Sequence, residues 1–356
     1  MTFSLCMIVR DEEDVLARCL SSASGLFDEI VIADTGSKDR TPEIAREFTP
    51  NVYDFKWCDS FAAARNFAFY KATGDYLMWL DADDVITPQN YVLFKELFLR
   101  IERERPDVVM LPYNVAFDEN GRVTMSYERE RILRSGAGRW FSGDVHEAVS
   151  PHGKIIHGSA AVEHHKEKVG SGTRNLDIYL KKLGRGDVFQ PRDCYYFARE
   201  LRAHGCLDEA AEWYRRCADD AGAWLENRVS ARFELSTLLW EQGRREESDA
   251  ELLNCLAMQE PRADICCEMG RRALERGDLR TAEFWYELAP KQYKKPLGGF
   301  LHSDLGGYIP YLQLCVIHDR LGEREEAVRC NELAACEHPD SEAVRHNRRY
   351  FASHEE

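Results

Sequence analysis

Short apolar runs alternate with amphipathic stretches through the first half of this chain. Thr2–Val9 reads as a strand, and Glu13–Ser24 as a helix with Val15, Leu16, Cys19 and Leu20 on one face. Glu29–Ala33 and Val52–Phe55 read as further strands, with a short helix starting at Thr41-Pro42 between them. Ser60 is placed to cap a helix that runs to Ala72. The five apolar residues Tyr76–Leu80 fit a strand buried on both faces, and a long helix follows from Pro88 to Arg103. Strand–helix alternation with short turns implies a mostly parallel sheet. After Asp107–Phe117 the pattern changes to short strands at Val123–Tyr127, Arg131–Leu133, Val145–Val149, Lys154–His157 and Ala160–Glu163. Asp118–Gly121 supplies a hairpin turn between Asp107–Phe117 and Val123–Tyr127.

The stretch Lys168–Thr173 reads as a junction. Beyond it the period is helical, and a motif recurs around Gly205, Gly243, Gly277 and Gly322, which stand 38, 34 and 45 residues apart. That spacing is close to the 34-residue period of tetratricopeptide helix pairs. Trp213-Tyr214 and Trp285-Tyr286 fall at matching places after two of the turns. Pro290–Pro310, with two Gly-Gly pairs, reads as an inserted loop. The expected organisation is therefore a sheet domain over residues 1–170 and an all-α repeat domain over residues 171–356.

Composition narrows the partners. A formal charge of −15 excludes a general nucleic-acid binder, which needs a basic face. No apolar run is long enough to span a membrane, and the first one has no basic leader, so a cytoplasmic location is expected. Twelve cysteines without C-x-x-C pairs fit reduced, mostly buried thiols.

The chemistry gathers where the strands end. Asp81-Ala82-Asp83-Asp84 closes the apolar strand in acid. Where the chain stays extended, Asp81 and Asp83 share a side. Carboxylates at the carboxyl end of an open α/β sheet sit where such sheets bind ligands. Hard oxygens there suit Mg²⁺ or Mn²⁺, which commonly also bind substrate phosphates. The competing reading is an acidic turn before a helix capped by Thr87-Pro88. Arg10–Glu13, Asp34–Thr41 and Asp59–Asn66 are expected at the same edge.

These motifs together resemble the family-2 glycosyltransferases of GT-A fold: Met7-Ile8-Val9-Arg10-Asp11-Glu12, then Asp34-Thr35-Gly36-Ser37-Lys38-Asp39-Arg40-Thr41, Ala64-Arg65-Asn66, and Asp81-Ala82-Asp83. The resemblance covers roughly residues 1–170. It implies a Rossmann-like GT-A domain with a UDP-sugar as donor. Val9 and Glu12 would help hold the nucleoside, Asp34 would accept the uracil N–H, and Gly36 would permit the tight turn. Asp81 would contact the ribose or the metal, and Asp83 would ligate the metal. Arg65 would reach the nucleotide, or else only position the carboxylates through a salt bridge.

Gly143-Asp144-Val145-His146-Glu147, Val162-Glu163-His164-His165 and Arg174-Asn175, followed by helical repeats, resemble the repeat-bearing glycosyltransferases that include sublancin-type peptide S-glycosyltransferases. That resemblance implies a metal-dependent, inverting transfer of a hexose or N-acetylhexosamine to a peptide or protein. Glu147 is the expected base, Asp144 its rival, and His146 completes the catalytic candidates. A buried structural Glu147 paired with His146 is the bland alternative. His164 or His165, but not both, is expected at the Mn²⁺ or Mg²⁺ site, because neighbours on a strand face opposite ways. Arg174 would reach the pyrophosphate or stand solvated. The repeats would offer a peptide groove, or serve assembly such as a homodimer. Two other readings stand beside this one: a glycan or lipid-linked acceptor, and an idle nucleotide-binding scaffold.

Overall fold

The computed structural model describes residues 1–136, 140–165, 172–293 and 301–353. Its contacts divide the chain into two compact units that meet in sequence at Glu200 and Leu201. Residues 168–171 of the expected Lys168–Thr173 junction, and residues 294–300 of the expected inserted loop, lie outside the described residues.

In the first unit, β1 (Phe3–Val9), β2 (Glu29–Asp34), β3 (Val52–Asp54) and β4 (Tyr76–Leu80) form a parallel half-sheet in the order β3-β2-β1-β4. The connections are α1 (Leu16–Ser22), α2 (Thr41–Phe48) and α3 (Phe61–Lys71). Period-two alternation sets the two faces. Leu5, Met7, Val9, Tyr76, Met78 and Leu80 join one core, while Cys6, Leu77 and Trp79 join the other, beside α3. Ser60 caps α3 by accepting the Ala63 N–H at 3.3 Å.

The sheet continues through β5 (Asp84–Val85), β6 (Val108–Phe117), β7 (Val123–Arg134), β8 (Ile155–His157) and β9 (Val162–His164). Beyond β4 the order is β7-β6-β9-β5, with β8 also on β6. β7 is antiparallel to both β4 and β6, so the sheet is mixed rather than parallel throughout. Thr87 caps α4 (Pro88–Glu104), as its Thr-Pro start implies.

Two sequence expectations change here. Val123–Tyr127 and Arg131–Leu133 are one strand, because the pairing with β6 runs through register shifts instead of stopping. Val145–Val149 is not a strand. It lies in a loop pinched by reciprocal backbone bonds of 3.0 and 3.1 Å between Ser142 and Ala148. Gly143 and His146 both take positive φ inside that loop, which breaks the extended repeat.

α5 (Arg174–Gly184) belongs with the sheet unit, as does α6 (Pro191–Ala203) up to Glu200. The contact boundary therefore falls later than the change of sequence period. Lys182 explains part of this, since it reaches back to Asp144 in the sheet unit at 3.3 Å.

The second unit contains α7 (Leu207–Asp219), α8 (Leu225–Glu241), α9 (Arg245–Met258), α10 (Ala263–Glu275), α11 (Leu279–Gln292), α12 (Tyr308–Arg320), α13 (Arg324–Glu337) and α14 (Glu342–Ser353). Gly205, Gly243, Gly277 and Gly322 all adopt φ of 76–80° just past α6, α8, α10 and α12. At each one the following N–H returns to a carbonyl five residues back, as in Arg244 to Leu239 at 2.9 Å. This is the Schellman closure that glycine favours. The matched tyrosines Tyr214 and Tyr286 are both buried. Gly270 of α10 lies against the Tyr286 ring, where any Cβ would approach within 2.7 Å. No helix among the described residues is long and apolar enough to cross a membrane. The twelve cysteines are free thiols, most of them buried.

Candidate active site

The register of the parallel strands sets the site. Val9 pairs with Asp34 and Asp34 with Asp54, so the loops after β1 and β2 leave the sheet side by side. They are then laced together. Ser37 Oγ accepts the Asp11 N–H (3.0 Å), and Asp11 accepts the Lys38 N–H (2.7 Å). Thr41 Oγ1 accepts the Glu12 N–H (2.7 Å), and Glu13 accepts the Arg40 N–H (3.1 Å). Asp34 is buried and turned on its own loop, taking both the N–H and the hydroxyl of Ser37. Gly36 has φ 104°, a conformation open to glycine, and a side chain there would meet no neighbour within 4 Å. Val9 is buried in the strand, and its carbonyl accepts from Thr35.

The Ala64-Arg65-Asn66 motif does its work from inside α3. Asn66 exchanges two bonds with the backbone of Phe141, at 3.0 and 2.9 Å. The Asp144 carbonyl in turn accepts the Phe61 N–H at the helix start (2.9 Å). These contacts fasten the Gly143–Glu147 loop to the helix. Arg65 is buried and donates from Nε to Glu147 (2.5 Å) and from Nη2 to Asp81 (2.6 Å). The positioning alternative for Arg65 is thus the geometry observed. Burial alone would weaken its charge, but the Asp81 and Glu147 carboxylates raise the guanidinium further above its usual range.

Trp79 lies beneath this group. The guanidiniums of Arg131, Arg65 and Arg129 stand 3.8, 4.4 and 4.9 Å from its ring centre. An indole face attracts cations, and four carboxylates pair with the three guanidiniums. Two of those carboxylates belong to Asp81 and Glu147. Glu130 accepts from Arg129 (3.4 Å), and Asp84 accepts from Arg131 (3.1 Å).

At Asp81–Asp84 the chain turns instead of staying extended. The Asp84 N–H bonds the Asp81 carbonyl, and the Asp84 carboxylate accepts the Asp81 N–H (2.9 Å). Asp81 and Asp83 therefore part company. Asp81 goes to Arg65, whereas Asp83 approaches His164 Nδ1 at 3.3 Å. Burial would raise the Asp81 carboxyl, but Arg65 and Arg131 override it and hold it at about 2. Asp84 is fully buried and also takes the Tyr113 hydroxyl (2.8 Å). It fixes the turn that presents its neighbours.

Asp83, Asp84 and His164 bring ligand atoms within 4.8 Å of one another. Two carboxylates and an imidazole are a donor set that suits Mn²⁺ better than Mg²⁺, which prefers oxygen ligands throughout. Asp84 already serves Arg131, Tyr113 and the Asp81 N–H, so Asp83 and His164 carry the ligand capacity. Burial would lower the His164 imidazole; its hydrogen bonds to the Asp83 and Asp84 carboxylates raise it to about 10. A cation there must replace that proton. His165 turns the other way, bonding Glu163 (3.0 Å) and stacking on Phe117 at 5.1 Å.

The remaining sequence candidates lie around the pinched loop. Glu147 is buried, with Arg65 on its carboxylate and Arg129 on its carbonyl. Asp144 is held by Lys182. His146 stacks on Tyr196 (4.1 Å, 17°) and meets Glu200 at 3.4 Å. Arg174 is exposed at the start of α5, with its guanidinium 4.9 Å from the Phe61 ring centre. Sequence reading missed Asp84 as the organiser, Arg131 as its partner, and Glu200. A charged residue amid the apolar end of β7 was the available signal for Arg131.

Residues 4–156 match the family model described as Glycosyl transferase family 2. A TPR repeat-containing protein of Synechococcus elongatus is 40% identical over 147 residues, which are 41% of this chain and 35% of that protein. SPbeta prophage-derived glycosyltransferase SunS of Bacillus subtilis is 24% identical over 254 residues, 67% of this chain and 58% of that one. The chain thus spans less than two thirds of the length of either relative. The structure of S. aureus TarS 1-349 aligns over 96% of this chain and 93% of its own at 13% identity, with a TM-score of 0.40, too loose a likeness to argue from.

Proposed function

We propose that this chain, which carries a glycosyl transferase family 2 domain over residues 4–156, moves a hexose or N-acetylhexosamine from a UDP-sugar to a peptide or protein side chain. The observation that carries the reading is Arg65, which ties Asp81 at the end of β4 to Glu147 in the pinched loop. One buried cation thereby holds together the two segments where donor and acceptor would meet. Asp34 and Glu12 stand at the adjoining strand ends, the edge where open α/β sheets take nucleotides.

In this reading Asp34 receives the uracil N–H, and Val9 and Glu12 border the nucleoside. Asp83 and His164 would hold Mn²⁺ or Mg²⁺, which supplies positive charge to the departing diphosphate. Arg65 keeps Asp81 ionised and in place. Inversion at the anomeric carbon is the stereochemistry that the resemblance implies. The peptide acceptor rests on the resemblance to repeat-bearing peptide glycosyltransferases and on the helix pairs of the second unit.

The test is UDP release by the full chain over a panel of UDP-sugars, with Mn²⁺ or Mg²⁺ and with a chelator. Release from at least one donor, abolished by the chelator and restored by metal, is expected. Asp83→Ala should lose the metal response and weaken Mn²⁺ binding measured by paramagnetic resonance. Metal-independent release at full rate would overturn the metal assignment, and no release from any donor would overturn the reading.

A further inference from the structure

Three side chains near the pinched loop have the chemistry to accept a proton, and their surroundings differ. Glu147 is turned inward onto buried Arg65. Asp144 is tied to Lys182, which also grips buried Asp193 at 3.0 Å. The His146 side chain keeps 36% of its surface exposed.

His146 is also the most elaborately placed of the three. Its φ of 52° is rare for a residue with a side chain and marks a backbone held against its preference. Arg192 Nε bonds its carbonyl at 3.1 Å. Its ring lies flat on Tyr196, and Nε2 faces Glu200 Oε1 at 3.4 Å. Asn175 Nδ2 donates to the same Glu200 oxygen at 3.1 Å and fixes that carboxylate. An imidazole whose Nε2–H points at a carboxylate keeps its lone pair on Nδ1. Charged groups beside it include Glu200 and Arg192 from α6 and Asp144 and Glu147 from its own loop, a loop that Arg129 and Lys182 also bind.

We propose that His146, oriented by Glu200, is the general base that takes the acceptor's proton. This rests on the transferase reading above. The hydroxyl or thiol hydrogen passes to Nδ1 as its oxygen or sulfur bonds the sugar's anomeric carbon. The bond from that carbon to the donor's phosphate oxygen breaks, and UDP leaves with the electron pair. The imidazolium then gives its proton to solvent. Glu200 is a positioning residue that selects the tautomer and steadies the imidazolium.

The test uses the full chain with Mn²⁺, UDP-glucose and UDP-N-acetylglucosamine, with water as the acceptor, followed across pH. His146→Ala should lower the hydrolysis rate by roughly 100-fold or more while UDP binds with its wild-type Kd in calorimetry. Added imidazole should restore part of the rate. Glu200→Gln should move the acid limb of the rate profile to lower pH without changing UDP affinity. Wild-type hydrolysis by His146→Ala would overturn the proposal while leaving the transferase reading intact. So would an unmoved profile in Glu200→Gln together with a lost rate that imidazole does not rescue. A wild-type chain that releases no UDP would instead remove the transferase reading, and this assignment with it.

Discussion

Arg131 and Asp84 form an ion pair at 3.1 Å with both side chains wholly buried. The guanidinium also donates to the Trp79 carbonyl (3.2 Å) and lies between the rings of Trp79 and Tyr113. The pair joins β7 to the turn that follows β4, so the acidic turn is fixed by a residue distant in sequence. Replacing only the guanidinium leaves the buried Asp84 carboxylate with the longer His164 contact at 3.4 Å. Arg131→Met should therefore destabilise the fold by about 3–5 kcal/mol, read from urea unfolding. A loss below about 1 kcal/mol would mean that the pair contributes little.

Arg65 reaches two carboxylates at once, which a single ammonium cannot reproduce. Arg65→Lys should keep the positive charge but lose one charge-assisted bond of about 1.5–3 kcal/mol, or roughly 10- to 100-fold in rate. Steady-state UDP release is the measurement, and the change should fall in kcat more than in KM. An unchanged kcat would show that holding Asp81 and Glu147 together is not required.

The buried Asp34 offers a test of nucleotide choice. Asp34→Ala should weaken UDP binding by about 1.5–3 kcal/mol, because a buried N–H loses a charged acceptor. Calorimetry with UDP, and with CDP as a control lacking that N–H donor, checks this. Equal affinity in the variant and the parent would place the base elsewhere. Since Asp34 also takes the Ser37 hydroxyl, a melt must show that the loop change does not unfold the domain.

In the helical unit Gly277 closes α10 with φ 77°, and a side chain there would touch nothing within 4 Å. Any penalty of Gly277→Ala is therefore conformational rather than steric. About 1–2 kcal/mol is expected, seen as a lowered midpoint in a thermal melt. Gly270→Ala should be worse, because the Tyr286 ring occupies the space. Equal effects at the two positions would contradict this division between backbone strain and crowding.

Local patterns were enough to foresee much of this protein. The apolar run Tyr76–Leu80, the caps Ser60 and Thr87, and the recurring glycines each report a preference that acts within a few residues, and the fold keeps all of them. The same holds for the loops after β1 and β2, since parallel strands must deliver their ends to one edge. Tertiary structure decided what depends on partners far along the chain. Asp81 and Asp83 do not share a side, because a buried Asp84, held by Arg131 and Tyr113, bends the backbone between them. His164 rather than His165 faces the carboxylates because β9 pairs with β5 in the register Asp84 to His164. Glu147 turns inward because Arg65 of α3 is there to receive it. Periodicity names the face a residue occupies, but only long-range packing and charge compensation choose which side chains meet.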